Sequence, residues 1–462
     1  MASSYLTRSS ANSSGSGTTA TISFWVRKNT EAPGDGGFFQ AFTDGSNFCS
    51  VYANPTLKMR NYISGSYSSG DITCNRKLRD PAAWYHLQFV WDTTNNTAAD
   101  RMRIYVNGVR ETSFSSSTNP SSSYSFTPFV SGTIYVNRYN QNTTTADNNF
   151  SHFHYCDGYA YEPTSFGSTD TTTGEWKINT SPNVQYGSNG FFIFKDGSST
   201  TDQSGNSKTF TTTGTLTNTE DCPSNNFCTL NFLDRSRKAS NNLGDALENG
   251  NTTFNTSNAV KAQARGTIGV NSGKYYWEGK YNSGTAWAMG FCLEEFFADT
   301  TADFWDATSI LAVAANGGSG TLYINGRASD SFNTGVSLSG GDIFGFALDI
   351  DNKGFYVHKN GTYITANSAV GDPTSGSSRT GSVLGELTTG GYQNYIPDNE
   401  FLFPFCSDSS TGASASMDMN FGNGFFGTTA ISSEGTNASG IGKFEYDVPT
   451  GYTALSTKGL NE

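Results

Sequence analysis

The sequence predicts an all-β protein, and three observations support this prediction. Short runs of alternating apolar and polar residues recur along the chain, bounded by Gly, Asn, Asp or Ser. Asn-Gly pairs at 107–108, 325–326 and 360–361 follow such runs and are typical of tight hairpin turns. Apolar residues do not recur at the spacing of an amphipathic helix. Short strands joined by tight turns favour antiparallel β-sandwiches.

Composition excludes several classes of protein. Of the 462 residues, 14% are aromatic and only 15% are charged, with a formal net charge of −12. Disordered chains are poor in rings and rich in charge, so this chain is predicted to fold. An acidic chain without a basic patch is not expected to bind nucleic acid. No apolar run approaches the length needed for membrane insertion, and the N-terminus lacks a signal-peptide pattern, so we expect neither insertion nor general secretory export.

The first strand-rich region is residues 1–175, and it is predicted to form one domain. Its apolar runs are rich in β-branched and aromatic residues, which fit the half-buried surface of a sheet. The clearest predicted strands are, in chain order, Thr19–Arg27, Trp84–Trp91, Met102–Val106 and Thr133–Val136.

The remainder of the chain divides into three further regions. Residues 176–225 are rich in Thr, Ser and Asn, and are predicted to be a connector with one strand at Phe191–Phe194. Residues 226–425 form a second strand-rich domain, and residues 426–462 a C-terminal tail. Predicted strands of the second domain include Tyr275–Lys280 and Gly354–His358.

Both predicted domains resemble known families. The first resembles the laminin-G-like members of the concanavalin A-like lectin and glucanase sandwiches, and the second resembles the SPRY domain. The segments that carry the first resemblance are Ile22–Lys28, Ala83–Asp92, Arg103–Glu111 and His154–Gly167. The segments that carry the second are Gly273–Tyr281, Ala288–Glu295, Gly340–Ile364, Phe401–Asp408 and Met419–Asn423. The two resemblances imply two concanavalin-like antiparallel β-sandwiches in tandem.

The combination of these domains, closed by Val448–Leu455 (VPTGYTAL), resembles virion proteins of marine bacteriophages. This resemblance implies a fibre, tip or capsid-decoration protein that makes assembly contacts with other virion proteins and attaches to host-surface polysaccharide. It also implies assembly into the virion in the host cytoplasm, as a homo-oligomer for which a trimer is the first expectation.

Candidate catalytic carboxylates are few, so we expect no enzymatic activity. Glucanases on this sandwich carry acids at alternate positions of one strand, which places them on one face. Glu294 and Glu295 are adjacent, and Asp349 and Asp351 lead into Asn352, which is typical of a hairpin turn. Two alternatives stay open: a glycan-degrading enzyme whose carboxylates meet only in space, and a structural subunit without a ligand.

No metal or other cofactor is predicted. His152 and His154 would share one face of a strand, but no acid or cysteine stands at a spacing that completes a site. The seven cysteines include no CxxC pair, and we expect most of them to be small buried side chains in a reducing compartment.

Loop segments that combine rings with amides or carboxylates are the candidate ligand-binding sites. Sugars stack their C–H faces on rings while amides and carboxylates hold their hydroxyls, and sandwich ligands usually sit on loops. The alternative is that these rings pack beneath long loops. The candidate residues are Tyr139, Asn140, Trp305, Asp306, Tyr392, Asn394 and Tyr395.

Overall fold

The computed structural model describes residues 4–9, 15–29, 36–80, 82–139, 147–195, 197, 199–237, 247–256, 262–297, 310–315, 321–325, 331–387, 392–408 and 414–461. Of the residues described, 49% are in strands and 7% in helices, which confirms the all-β prediction. It divides into two compact units. The first is Met1–Asn218 with Cys222–Ser224, and the second is Thr219–Asp221 with Asn225–Glu462.

The first unit is a sandwich of two antiparallel sheets. Its eight-stranded sheet has the order β10-β6-β5-β4-β3-β11-β1-β16, its six-stranded sheet has the order β15-β12-β2-β7-β8-β9, and β13 pairs with β14. One short helix, α1 (Thr127–Ser131), precedes β11. The strands are β1 (Tyr5–Arg8), β2 (Thr19–Lys28), β3 (Gly36–Asp44), β4 (Asn47–Asn54), β5 (Thr56–Tyr62), β6 (Asp71–Lys77), β7 (Trp84–Asp92), β8 (Met102–Val106), β9 (Val109–Arg110), β10 (Phe114–Thr118), β11 (Thr133–Val136), β12 (Asn148–Asp157), β13 (Gly167–Thr169), β14 (Trp176–Ile178), β15 (Phe191–Ile193) and β16 (Thr211–Thr213).

Alternation of side chains along the strands builds the first core. Phe24, Val51, Phe89 and Phe153 are fully buried between the two sheets, and the rings of Phe24 and Phe153 stack with centroids 4.7 Å apart. Each strand turns its intervening residues to the outer face, meaning the face away from the other sheet of the same unit.

The predicted connector 176–225 differs from what the structure shows. It contributes β14, β15 and β16, of which β15 pairs with β12 and β16 pairs with β1. The physical reason is that the apolar residues of β15 are buried and extend the six-stranded sheet, while threonines suit the exposed edge strand β16. Most of this stretch therefore belongs to the first unit.

The second unit is also a sandwich of two sheets. One has the order β17-β20-β31-β22-β23-β24-β25; the other is eight-stranded, with the order β18-β19-β32-β21-β26-β27-β28 and with β35 pairing in parallel to β21. The strands are β17 (Leu230–Arg237), β18 (Leu247–Glu248), β19 (Thr253–Thr256), β20 (Ala262–Gly266), β21 (Lys274–Gly284), β22 (Trp287–Leu293), β23 (Ile310–Ala315), β24 (Thr321–Asn325), β25 (Ser331–Ser337), β26 (Ile343–Asp349), β27 (Gly354–Lys359), β28 (Thr362–Tyr363), β29 (Thr365–Ala366), β30 (Ala369–Val370), β31 (Leu402–Asp408), β32 (Ala415–Asn420), β33 (Phe425–Phe426), β34 (Thr429–Ala430) and β35 (Thr453–Ala454).

The predicted C-terminal tail 426–462 is part of the second unit's fold. Phe444 and Tyr452 are buried against Tyr276 and Tyr356, which lie on the outer face of the eight-stranded sheet. This correction has a simple cause: an outer face that carries large rings must be covered, and the C-terminal segment supplies the covering side chains.

Two local predictions are confirmed. Asn107-Gly108 joins β8 to β9 and Asn360-Gly361 joins β27 to β28, with positive φ at both residues of each turn. Six of the seven cysteines are buried, and all seven are unbridged. Among the described residues, no helix is long and apolar enough to cross a membrane.

Candidate functional site

The outer face of the first unit's eight-stranded sheet combines polar side chains with rings. Strand β5 illustrates how the sequence produces it, because its residues alternate between buried and half-buried. Leu57 and Met59 enter the core, while Lys58, Arg60 and Tyr62 lie on the outer face.

Strand register places five outer-face residues in one row across five neighbouring strands. Tyr135 pairs with Gln40, Gln40 with Ser50, Ser50 with Arg60, and Arg60 with Asp71. The Nε of Arg60 donates a hydrogen bond to Oδ1 of Asp71 at 2.9 Å. We call these five residues the polar row.

The centre of the polar row has unused hydrogen-bonding groups. Gln40 is 1% exposed and Ser50 is fully buried. Neither the amide of Gln40 nor the hydroxyl of Ser50 has a hydrogen-bond partner among the described residues. A buried polar group without a partner costs about 1–3 kcal/mol, so these two side chains are expensive to keep for structural reasons alone.

Aromatic rings surround the polar row, and we call them the ring arc. Neighbouring centroids along one side of the row are 4.7–6.5 Å apart. On the other side, the centroids of Tyr52 and Tyr139 lie 4.2 Å apart. The ring arc consists of Tyr5, Tyr135, Phe42, Phe48, Tyr62 and Tyr67 on the first side, and Tyr52 and Tyr139 on the second.

A close backbone approach brings Tyr139 onto this face. A Cβ added to Gly37 would lie 2.4 Å from the carbonyl of Arg138, so only glycine lets the chain cross β3 there. Tyr139 then reaches the ring of Tyr52. Burial raises the pKa of the Tyr67 hydroxyl above its ordinary value.

Cations lie over several rings of the arc. The guanidinium carbon of Arg60 is 4.8 Å from the ring centroid of Tyr67, and that of Arg138 is 4.6 Å from the ring centroid of Tyr5. The Nζ of Lys58 is 5.5 Å from the ring centroid of Tyr52. Such contacts hold a cation beside an aromatic surface.

The loop residues predicted as ligand-binding have mixed outcomes. Of these, the structure brings Tyr139 to the ring arc. Asn394 is exposed in a short 3-10 helix, Tyr392–Tyr395, of the second unit. Asn140, Trp305, Asp306 and the side chain of Tyr392 lie outside the described residues.

Tyr395 requires a correction. It is 2% exposed and belongs to the main hydrophobic core of the second unit, so its ring offers no face to a ligand. This outcome matches the alternative that rings in such loops pack beneath them. The physical reason is that the adjacent Ile396 is also fully buried, so this loop is anchored in the core by apolar burial.

The polar row and most of the ring arc were missed from the sequence. A usable signal was present in β5, where the run TLKMRNY places two cations and a ring at alternate positions opposite apolar residues. Gln40 and Ser50 carried no such signal, because their proximity depends on the register of three strands.

The acidic and histidine candidates have local partners. Asp349 accepts hydrogen bonds from the backbone N–H and the amide of Asn352, as expected of a turn. Asp351 accepts one from the N–H of Gly273, which is distant in sequence and precedes β21. His154 Nδ1 hydrogen-bonds the hydroxyl of Tyr186 at 2.9 Å. No group of three or more potential metal ligands occurs within the described part of the chain.

Glu278 forms a buried network on the outer face of the second unit's eight-stranded sheet. Its carboxylate accepts hydrogen bonds from the hydroxyl of Tyr276, the amide of Asn420, and the backbone N–H groups of Glu445 and Tyr446. Burial raises the pKa of Glu278 to about 7, against the opposing effect of these four donors.

His358 extends the same network. Its Nδ1 accepts a hydrogen bond from the N–H of Gly361, so its Nε2–H donates to the hydroxyl oxygen of Tyr276 at 2.7 Å. Burial lowers the pKa of His358 to about 3, which keeps the ring neutral. Because the C-terminal segment covers these groups, they serve the fold rather than a ligand.

Comparison with known proteins identifies the first domain at the level of its fold. Residues 2–147 match a family described as the concanavalin A-like lectin/glucanases superfamily, which confirms the predicted concanavalin-like first domain. No curated protein matches the chain.

Two solved structures are similar at low identity. The SPRY domain of human HERC1 is 15% identical, with a TM-score of 0.24, and the match covers 36% of this chain and 87% of that one. A native heptameric SAP-like pentraxin from Limulus polyphemus is 17% identical, with a TM-score of 0.25, and the match covers 33% of this chain and 70% of that one. Neither likeness assigns a function, and the SPRY assignment of the second sandwich stays a prediction.

Proposed function

We propose that this protein is a non-enzymatic polysaccharide-binding protein whose ligand lies on the polar row and ring arc of the first unit. The observation that carries the proposal is the pair Gln40 and Ser50, which lie buried beneath aromatic side chains without partners among the described residues, so that a ligand reaches them when the covering side chains move aside. Sugars present hydroxyls that pair with such groups and apolar C–H faces that pack on rings, so one ligand class uses both features.

The wider role proposed is attachment of a bacteriophage virion to host-surface polysaccharide. Support for this role is the tandem resemblance of the two domains and of the closing segment to phage virion proteins. The protein would then be a homo-oligomer, with a trimer expected, that contacts other virion proteins. Failure to find the chain in purified particles would remove this part of the proposal without affecting polysaccharide binding.

Polysaccharide cleavage is the less favoured alternative. Glycosidases need two carboxyl groups flanking the scissile bond. The polar row carries one carboxylate, Asp71, and the guanidinium of Arg60 is bonded to it at 2.9 Å. Release of oligosaccharide from a bound polymer would instead support an enzyme.

The test is binding of the full chain to a panel of bacterial and marine polysaccharides by affinity electrophoresis. Tyr67→Ala removes a ring of the arc and is expected to weaken binding about tenfold, since stacked rings contribute on the order of 1–2 kcal/mol. The matched control is Tyr159→Ala, which removes a 39% exposed ring. The backbone carbonyl of Tyr159 accepts a hydrogen bond from the hydroxyl of Thr21, so this residue lies at the six-stranded sheet, away from the ring arc.

Two outcomes would overturn the proposal. Equal loss in the two variants would mean that the ring arc is not the site. Absence of binding to any polymer, with the wild-type chain folded, would favour a structural subunit without a ligand.

A further inference from the structure

We infer that the polysaccharide is acidic, and that Lys58 and Arg60 bind the carboxylate or sulfate groups on its sugar rings. This inference rests on the proposed function and specifies its ligand. It follows from three observations: a lysine without an acidic partner among the described residues, a guanidinium with unused hydrogen-bond donors, and a local positive charge on this face that is opposite in sign to the net charge of the chain.

Lys58 is the cation without an acidic partner. It is half-buried on β5, and its Nζ lies over the ring of Tyr52. Among the described residues it forms neither an ion pair nor a hydrogen bond, although an ammonium group has three donors. An anionic group placed on the outer face of β5 would meet this ammonium group beside the half-buried ring of Tyr139.

Arg60 contributes unused donors in a fixed plane. Its Nε–H is bonded to Asp71, and its terminal nitrogens have no hydrogen-bond partner among the described residues. The guanidinium carbon lies 4.8 Å from the ring centroid of Tyr67 and 5.8 Å from that of Tyr52. A planar guanidinium whose orientation is already restricted loses little entropy when it binds two oxygens of a carboxylate or sulfate.

The charge of the face is opposite to that of the whole chain. The chain carries a net charge of −12. Among the described residues around the polar row, however, Lys58 and Arg60 lie beside one carboxylate, Asp71. An acidic protein repels a polyanion, so an acidic ligand requires a local excess of positive charge of this kind.

The experiment compares each acidic polymer with a neutral counterpart. The full chain is titrated with polygalacturonate and with fully methyl-esterified polygalacturonate for the carboxylate arm, and with dextran sulfate and dextran for the sulfate arm, at about 50 and 200 mM NaCl. We expect at least one acidic polymer to bind about tenfold or more tightly than its neutral counterpart, with affinity falling as salt rises.

Variants locate the charge effect. Lys58→Ala is expected to weaken binding of the acidic polymer about fivefold to tenfold while leaving any binding of the neutral polymer unchanged. Arg60→Lys keeps the charge but removes the planar donor pair, and we expect a similar loss. The control is Lys177→Ala, which removes one positive charge from β14, the strand whose Trp176 packs against His86 of the six-stranded sheet.

The outcomes separate this inference from the proposed function. Equal affinity for acidic and neutral polymers overturns the acidic assignment and leaves polysaccharide binding intact. If Lys58→Ala and Lys177→Ala lose equal affinity for the acidic polymer, the polymer is attracted to the chain's positive charges in general, and the proposed site is overturned. If neither the acidic polymers nor the neutral polysaccharides of the wider panel bind, the proposed function itself fails.

Discussion

The outer faces of the two eight-stranded sheets both carry rings and buried polar groups, but they differ in what pairs with those groups. In the second unit, backbone N–H groups of the C-terminal segment at Glu445 and Tyr446 donate to Glu278. In the first unit, Gln40 and Ser50 have no partner among the described residues. The carboxylate of Glu278 is thus paired by its own chain, although the hydroxyl of Tyr363 on that face has no partner among the described residues, whereas both Gln40 and Ser50 stay unpaired on the first face.

The six-stranded sheet of the first unit supports this reading. Its outer face is covered by the segment that carries Trp176, whose Nε1–H donates to Nδ1 of His86 at 3.1 Å. The other ring nitrogen, Nε2–H, donates to the hydroxyl of Ser23 at 2.8 Å. Where this chain covers a face with its own segments, the buried histidine is therefore paired at both nitrogens. On the same covered face Oε1 of Gln88 has no partner among the described residues, but its Nε2 donates to the carbonyl of Tyr161, whereas neither amide atom of Gln40 is paired.

The largest expected effect comes from breaking the covered face of the second unit. Glu278→Ala leaves the donors from Tyr276, Glu445 and Tyr446 buried without an acceptor, and we expect a loss of about 3–5 kcal/mol in the free energy of unfolding of this unit. Chemical denaturation measures the loss, and hydrogen exchange should show faster exchange across residues 441–455.

The control for this prediction is Glu434→Gln, a change at an exposed glutamate of the same C-terminal segment, with an expected change below about 0.5 kcal/mol. A loss below about 1 kcal/mol in Glu278→Ala would contradict the view that this carboxylate holds the segment in place.

The next largest effect is the pH dependence of the second unit's unfolding free energy, which should reveal the raised pKa of Glu278. The pKa of its carboxyl is about 7 in the folded protein and 4.5 in the unfolded chain, so the folded state binds an extra proton between these values. Its stabilising contribution is complete below about pH 4.5 and is lost as the pH rises through 7, in total about 3 kcal/mol.

The measurement is the difference in unfolding free energy between wild type and Glu278→Gln at several pH values from 4.5 to 8. We expect this difference to fall as the pH rises and to level off above about pH 7.5. His358 acts in the opposite direction, because its lowered pKa makes stability fall as the pH drops below 6.5, but it is present in both proteins and cancels. A constant difference would show that Glu278 does not titrate in this window.

A smaller effect is expected at the covered face of the first unit. Trp176→Phe keeps a ring over His86 but removes the donor to its Nδ1, for an expected loss of about 1–2 kcal/mol in unfolding free energy. Thermal and chemical denaturation, with hydrogen exchange of β7, measure it. The control is Trp84→Phe at a half-buried position of β7, the strand that carries His86, and we expect it to lower the unfolding free energy by less. A larger loss in Trp84→Phe would count against the importance of the Trp176 hydrogen bond.

The sequence was sufficient for the fold class and insufficient for the site, for physical reasons. Alternation and Asn-Gly turns are local, and they predicted strands such as Thr133–Val136 with the observed bounds. The polar row depends on the register of β3, β4 and β5, and no local pattern specifies which residues stand side by side. Tyr395 was misassigned because the mixture of rings and amides in its loop is the same for a buried anchor as for a binding loop.

The smallest expected effect contrasts the two glutamines of the first unit's outer faces. Gln40→Met replaces an amide that has no partner among the described residues with an apolar side chain of similar shape, so the unfolding free energy should rise by about 1 kcal/mol. Gln88→Met is the matched change on the covered face, where Nε2 donates to the carbonyl of Tyr161 at 2.7 Å while Oε1 has no partner among the described residues, and it should lower the unfolding free energy because the Tyr161 carbonyl loses its donor. If Gln40 is kept for a ligand, Gln40→Met should also weaken polysaccharide binding while stabilising the unliganded protein. A Gln40→Met protein less stable than wild type would show that the amide serves the fold, and would make the first face equivalent to the second.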